Sequence, residues 1–209
     1  MTTNSKGQAS INIKLNVGTY KLAILNNETK EVKTQKIKVI APITSNKNLV
    51  KYYGNKKAFK VLVLGDGGKS VGAGKIVSMK VNGKTYKVKT NKKGYASLNL
   101  NLKPKKYTIT SSYNGYKVSN KITIKSTIIT KNISKKRNQI VKFTAKLVNS
   151  NGKILKGKKI TFKFKGKTKK VKTNKKGIAT ISLGHLKAGK YSISSKYGKL
   201  TIKNTITIK

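Results

Sequence analysis

The chain has 209 residues, with 50 Lys and Arg against 3 Asp and Glu, a net charge of +47, one His and no Cys. Three acids, one imidazole and no thiol leave little from which to build an ordinary hydrolase or a metal centre, and no disulfide scaffold is possible. Charge this one-sided is often a mark of disorder. Here, however, Lys alternates with Ile, Val, Leu, Phe and Tyr along the whole chain, so an apolar core can form beneath long Lys stems. A folded protein with a cationic skin is expected, its self-repulsion costing most at low salt.

Taken in chain order, the sequence repeats. Thr3-Asn-Ser-Lys-Gly7-Gln-Ala-Ser-Ile11 opens a weak first copy. The motif returns as Lys89-Thr-Asn-Lys-Lys-Gly94-Tyr-Ala-Ser-Leu98 and again as Lys172-Thr-Asn-Lys-Lys-Gly177-Ile-Ala-Thr-Ile181, with 87 and 83 residues between the glycines. Each copy leads to a Tyr that opens an alternating run: Tyr20, Tyr107 and Tyr191, placed 13, 13 and 14 residues after the glycine. The upstream halves of the last two copies also match. Phe59, Val61 and Val63 correspond to Phe143, Ala145 and Leu147, and Val77, Met79 and Val81 to Ile160, Phe162 and Phe164. Residues 1–44 hold only the back half of such a unit, residues 45–126 a full one and residues 127–209 another.

Inside each unit the period is two, as in Ile160-Thr-Phe-Lys-Phe164, which gives a strand one dry and one wet face. Asn82-Gly83 and Asn114-Gly115 are two-residue hairpin signals, and Gly67-Gly68 and Asn151-Gly152 mark looser turns. No segment has a 3.6-residue period. Short strands at this spacing predict an all-β protein of tandem immunoglobulin-like β-sandwiches, the first one incomplete. Tyr107 and Tyr191 stand where such sandwiches place a corner tyrosine that bonds back to the backbone upstream; the plainer reading is a large amphipathic core residue.

The blocks Tyr52-Tyr53-Gly54-Asn55, Phe59-Lys-Val-Leu-Val63, Gly68-Lys69-Ser-Val-Gly72, Val81-Asn-Gly-Lys-Thr-Tyr86, Thr90-Asn-Lys-Lys-Gly94 and Leu102-Lys-Pro-Lys-Lys-Tyr107 together resemble a known family. They are similar to the tandem Ig-like repeats of adhesin-like surface proteins of methanogenic archaea, and through these to bacterial Ig-like domains. The resemblance runs over residues 45–209, with an echo in 1–40. It implies a stalk or display module at the cell surface or outside the cell, with cell-surface or cell-wall polymers as partners. Family members usually carry Asp where this chain has Asn91 and Asn174, and Gly where it has Lys105. The missing acids argue against cation binding.

Of the groups that could do chemistry, His185 falls in a turn that the sister repeat lacks, Glu28 and Glu31 flank Thr29-Lys30, and Asp66 sits in a Gly-rich turn. None has the partners for acid–base work or a Ca²⁺ site. No catalytic, cofactor-binding or metal-ligating residue is therefore assigned, no cofactor is expected, and the chain is read as not an enzyme. With 49 Lys and the single Arg137, bidentate readout of bases is disfavoured. Lys spread over all units leaves three readings open: wet strand faces alone, attachment to anionic glycans or other surface polymers, and sequence-blind nucleic acid binding at low salt. Asn27-Glu-Thr29 and Asn132-Ile-Ser134 are glycosylation sequons, frequent by chance in such a chain. The first residues lack the apolar run of a signal peptide and no run of about 18 apolar residues occurs, as expected of a piece of a longer exported protein.

Overall fold

The computed structural model describes residues 3–209. It is built from strands and one 3-10 turn, Asp66–Gly68, with no α-helix among the described residues. Residues 3–42 supply a single hairpin, β1 (Gly18–Leu25) against β2 (Val32–Val39), in register from Gly18 opposite Val39 to Leu25 opposite Val32. Its loop is closed by the Asn26 side chain, whose Oδ1 accepts the Glu28 amide at 3.0 Å.

The next eight strands are β3 (Ile43–Thr44), β4 (Leu49–Tyr52), β5 (Phe59–Val63), β6 (Ile76–Val81), β7 (Lys84–Lys89), β8 (Tyr95–Leu98), β9 (Lys105–Tyr113) and β10 (Tyr116–Lys125). They form a three-stranded sheet, β3-β5-β8, facing a five-stranded one, β4-β10-β9-β6-β7. β4 runs parallel to β10, and every other pairing is antiparallel. The chain then repeats itself with β11 (Ile128–Ile129), β12 (Ile133–Lys135), β13 (Lys142–Leu147), β14 (Lys159–Phe164), β15 (Lys167–Lys172), β16 (Ile178–Ser182), β17 (Gly189–Tyr197) and β18 (Leu200–Ile208). Again three strands, β11-β13-β16, face five, β12-β18-β17-β14-β15, with the edge strand β12 parallel to β18. These are two immunoglobulin-like β-sandwiches in tandem, preceded by the last hairpin of a third.

One boundary differs from the sequence reading. Ile43 and Thr44 belong to the first full sandwich, not to the partial unit: Ile43 pairs with Val63 and is 2% exposed. The segment leaving β2 crosses at once to become the edge of the small sheet, a two-residue strand too short to show a period.

The alternation in sequence becomes the two cores. Phe59, Val61, Val63, Val77, Met79, Ile109 and Ile122 are buried in the first, and Phe143, Ala145, Leu147, Ile160, Phe162, Ile193 and Ile206 in the second. Phe143 and Phe162 meet edge to face with centroids 6.0 Å apart. Tyr107 and Tyr191 both make the corner bond, and Tyr20 makes the same one in the partial unit. The Tyr20, Tyr107 and Tyr191 hydroxyls donate to the carbonyls of Asn16, Lys103 and Lys187, four residues upstream, at 2.9, 2.8 and 2.8 Å. Tyr191→Phe keeps the ring that packs on Phe164 and loses only that bond. It should cost the second sandwich about 1 kcal/mol in urea unfolding, whereas Tyr191→Ala should cost at least twice as much.

The repeated Thr-Asn-Lys-Lys-Gly motif turns out to be local structure. Thr90 Oγ1 donates to the Gly72 carbonyl at 2.7 Å and accepts the Lys75 amide at 3.0 Å; Thr173 does the same with Leu155 and Lys158. Asn91 Oδ1 accepts the amides of Lys93 and Tyr95, and Asn174 Oδ1 those of Lys176 and Ile178. An amide oxygen closes this turn as a carboxylate would, so the turn needs no acid at Asn91 or Asn174.

The two sandwiches share a short joint at Ser126 and Thr127. The Tyr53 amide donates to the Lys125 carbonyl at 2.8 Å, and its ring packs against the apolar residues of both cores. Asn55 Nδ2 donates across the joint to the Ser150 carbonyl at 2.9 Å and to Asn151 Oδ1 at 3.0 Å.

Candidate functional site

The residues singled out for chemistry lie apart. Glu28 and Glu31 sit in the exposed β1–β2 loop, Glu31 reaching Lys33 at 3.7 Å. Asp66 lies in the exposed 3-10 turn, and His185 is exposed in the loop before β17. Arg137 follows β12, its backbone amide donating to the Lys209 carbonyl at 2.9 Å. Among the described residues no three His, Asp or Glu side chains come together. Of the sequon asparagines, Asn27 is in the β1–β2 loop, while Asn132 Oδ1 accepts the Thr205 amide at 3.0 Å and Asn204 Nδ2 at 3.1 Å, fastening the edge strand β12 to β18. No helix among the described residues is long and apolar enough to cross a membrane.

One Lys departs from the wet-face pattern. Lys51, on the inward side of β4, is 6% exposed and donates to the carbonyls of Asn55 and Lys57 at 2.8 and 3.0 Å, tying down the loop that carries Asn55 to the joint. Burial lowers its pKa from the ordinary 10.5, because desolvation disfavours the ammonium. The folded state thus holds this proton less tightly than the unfolded chain does. The group costs stability at neutral pH, and that cost is withdrawn as pH rises through the folded pKa towards 10.5. The stability of the wild type relative to Lys51→Met should therefore increase between pH 7 and pH 10 in paired urea titrations, which cancel the effect of the other lysines.

Seventeen of the remaining lysines stand on the outward faces of the two sandwiches. Strand register shows which share a face. On the outward side of the first five-stranded sheet stand Lys80, Lys87 and Lys89 from β6 and β7, Lys106 from β9, and Lys117, Lys121 and Lys125 from β10. The second sheet matches it with Lys159 and Lys163, Lys170 and Lys172, Lys190 and Lys196, and Lys203. Against seven on each large sheet, the outward sides of the small sheets carry only Lys60 in the first sandwich and Lys142 and Lys146 in the second. The large sheets also offer more outward positions, 17 against 5 in the first sandwich and 15 against 7 in the second, so much of the difference follows from their size.

The other positions on these faces are mostly Ser and Thr. Thr110 Oγ1 and Ser119 Oγ lie 2.9 Å apart across β9 and β10. The first face is interrupted by Val50, Tyr52 and Ile76; the second has no apolar side chain at all. In the second sandwich one row across the sheet reads Lys170, Thr161, Lys196, Thr201, and the adjacent row Thr168, Lys163, Ser194, Lys203. Within these two rows lysine and hydroxyl alternate in both directions, while the row beyond sets Lys159 beside Lys172. Since residues 127–209 contain no Asp or Glu, none of these ammonium groups has a carboxylate side chain within its own sandwich. Sequence reading could not find this face, because the rows cross four strands and appear only once register is known.

No protein-family model matches the chain, and no curated protein matches it in sequence. Solved structures do match in fold. The D00-D0 domain of Intimin is 14% identical, covers 80% of this chain and 98% of its own, and superposes with a TM-score of 0.38. The I9-I11 tandem from titin is 14% identical over 96% of this chain and 86% of its own, at 0.36. Domains 4 and 5 of the S-layer protein SbsC are 14% identical over 80% and 96%, at 0.29. With scores below 0.5 these likenesses carry no weight beyond their description, and the immunoglobulin-like assignment rests on the strand order and register of the chain itself.

Proposed function

We propose that the chain is a non-catalytic structural and adhesive module of an adhesin-like cell-surface protein, a stalk of immunoglobulin-like units that also attaches to anionic surface polymers. The observation that carries this reading is the outer face of the second large sheet, where seven lysines stand among Ser and Thr hydroxyls with no apolar side chain between them and no carboxylate side chain in the same sandwich. The joint supports the stalk role, since Tyr53 and the Asn55 bonds hold successive units in a fixed setting. The resemblance to repeats of methanogen surface proteins supports the cell-surface setting and a division into three units, one partial. Binding of the purified chain to whole cells, isolated cell envelopes and duplex DNA, at low and near-physiological salt, tests the reading. Retention on envelopes at the higher salt with loss of DNA is the expected result. Loss of both, or retention on DNA alone, would leave a sequence-blind polyanion binder in its place.

A further inference from the structure

We propose that the outer face of β14, β15, β17 and β18 is a binding site for an extended acidic polysaccharide, with Lys163, Lys170, Lys196 and Lys203 as its charge contacts; this rests on the attachment role proposed above. Three features point to that ligand. The first is spacing. Neighbouring strands lie about 4.8 Å apart, so lysines on alternate strands of one row stand about 10 Å apart, on the scale of one disaccharide in an extended chain. The next row, about 7 Å along the strands, carries its lysines in the gaps of the first. The second is the chemistry between the charges. The intervening positions are Thr and Ser hydroxyls, which both donate and accept, and so suit the hydroxyls that separate the carboxylates or sulfates of an acidic glycan.

The third is what the face lacks. It has no aromatic side chain on which a nucleobase or the apolar side of a neutral sugar could stack, and no Arg for bidentate phosphate or guanine contacts. A broad sheet of five strands also fits poorly into a duplex groove, which admits a helix or a two-stranded ribbon. What remains is a lattice of point charges and hydroxyls, without carboxylate side chains in its own sandwich, whose mutual repulsion an anionic chain would relieve on binding.

The test compares two variants of the whole chain with equal loss of charge. One replaces Lys163, Lys170, Lys196 and Lys203 with Thr, a good strand former. The other replaces Lys142, Lys146, Lys153 and Lys156, which lie on the small sheet and its loops. Polygalacturonate, a sulfated glycan and duplex DNA are the probes, at near-physiological salt, with thermal unfolding as a check on fold. The face variant should lose about tenfold or more in affinity for one of the two glycans, and the control variant less than about threefold. Which glycan responds separates carboxylate from sulfate recognition. The same glycan should raise the melting temperature of the wild type but not of the face variant. Equal losses in the two variants would overturn the site while leaving attachment by diffuse charge intact. Tighter binding of DNA than of either glycan would overturn the ligand class. A wild type that binds neither glycan nor cell envelopes would overturn the attachment role with it.

Discussion

Gly177→Ala should destabilise the second sandwich by about 3 kcal/mol, while Gly166→Ala, eleven residues earlier, should cost only about 1 kcal/mol. Both glycines have positive φ, +72° and +76°, so both substitutions place an L side chain in the left-handed region. They differ in what a Cβ would meet. At Gly166 nothing lies within 4 Å. At Gly177 the new atom would sit 2.7 Å from Ile154 Cγ2 and 2.9 Å from the Leu147 carbonyl oxygen. Ile154 is half exposed and can turn aside, but the carbonyl is held: it accepts the Leu155 amide at 3.1 Å, and the Leu147 amide donates back to Gly177 at 2.8 Å. Urea unfolding of the two variants beside the wild type measures both. Equal losses would mean that the close approach of the turn to β13 contributes nothing beyond backbone conformation.

The same glycine shows what could be read in the sequence. Its motif recurs because a turn geometry recurs, and turn geometry is local, so identity at Thr90 and Thr173, Asn91 and Asn174, and Gly94 and Gly177 announced it. The strand period, the two Asn-Gly hairpins (φ of +50° and +76° at Asn82 and Gly83) and the corner tyrosines are local in the same sense. The structure also shows Lys165 taking the left-handed position of the Asn in the matching turn of the second unit, at φ +43°. What escaped was non-local. Ile43 is core because a strand twenty residues on pairs with it, and Lys51 is buried although it looks like any alternating lysine. Tyr53 packs against both cores, the second of which begins only at Ile128, 75 residues further along the chain. The lysine face is the largest case: every residue in it obeys the simple rule of polar side out, and only pairing across β15, β14, β17 and β18 shows that two adjacent rows alternate lysine with hydroxyl.

A peptide spanning residues 1–44 should show no cooperative unfolding transition by far-UV circular dichroism, despite containing a well-formed hairpin in the intact chain. The reason lies in what each unit provides to its last hairpin. In the first full sandwich the inward residues of β9 and β10, Ile109, Ile122 and Ile124, are between 0 and 3% exposed because β5 and β6 lie across the core from or beside them. Leu22, Ile37 and Val39 occupy the matching places in β1 and β2 and are only half-buried, while Ile24, Leu25 and Val32 are more than half exposed. Folding the peptide would fix some forty residues at about 1–2 kcal/mol each in backbone entropy, with one hairpin and no second layer to bury apolar surface in return. A sigmoidal melt would show that the half unit is self-sufficient. The counterpart in the intact chain follows from the same accounting: removing residues 1–38 spares Ile40, which lies against Gly68, and the strand Ile43–Thr44. The midpoint of the two sandwiches should then stay where it is, shifting by no more than about 0.5 kcal/mol. A larger loss would mean that the hairpin draws its stability from the first sandwich and returns it, so that the two unfold as one body.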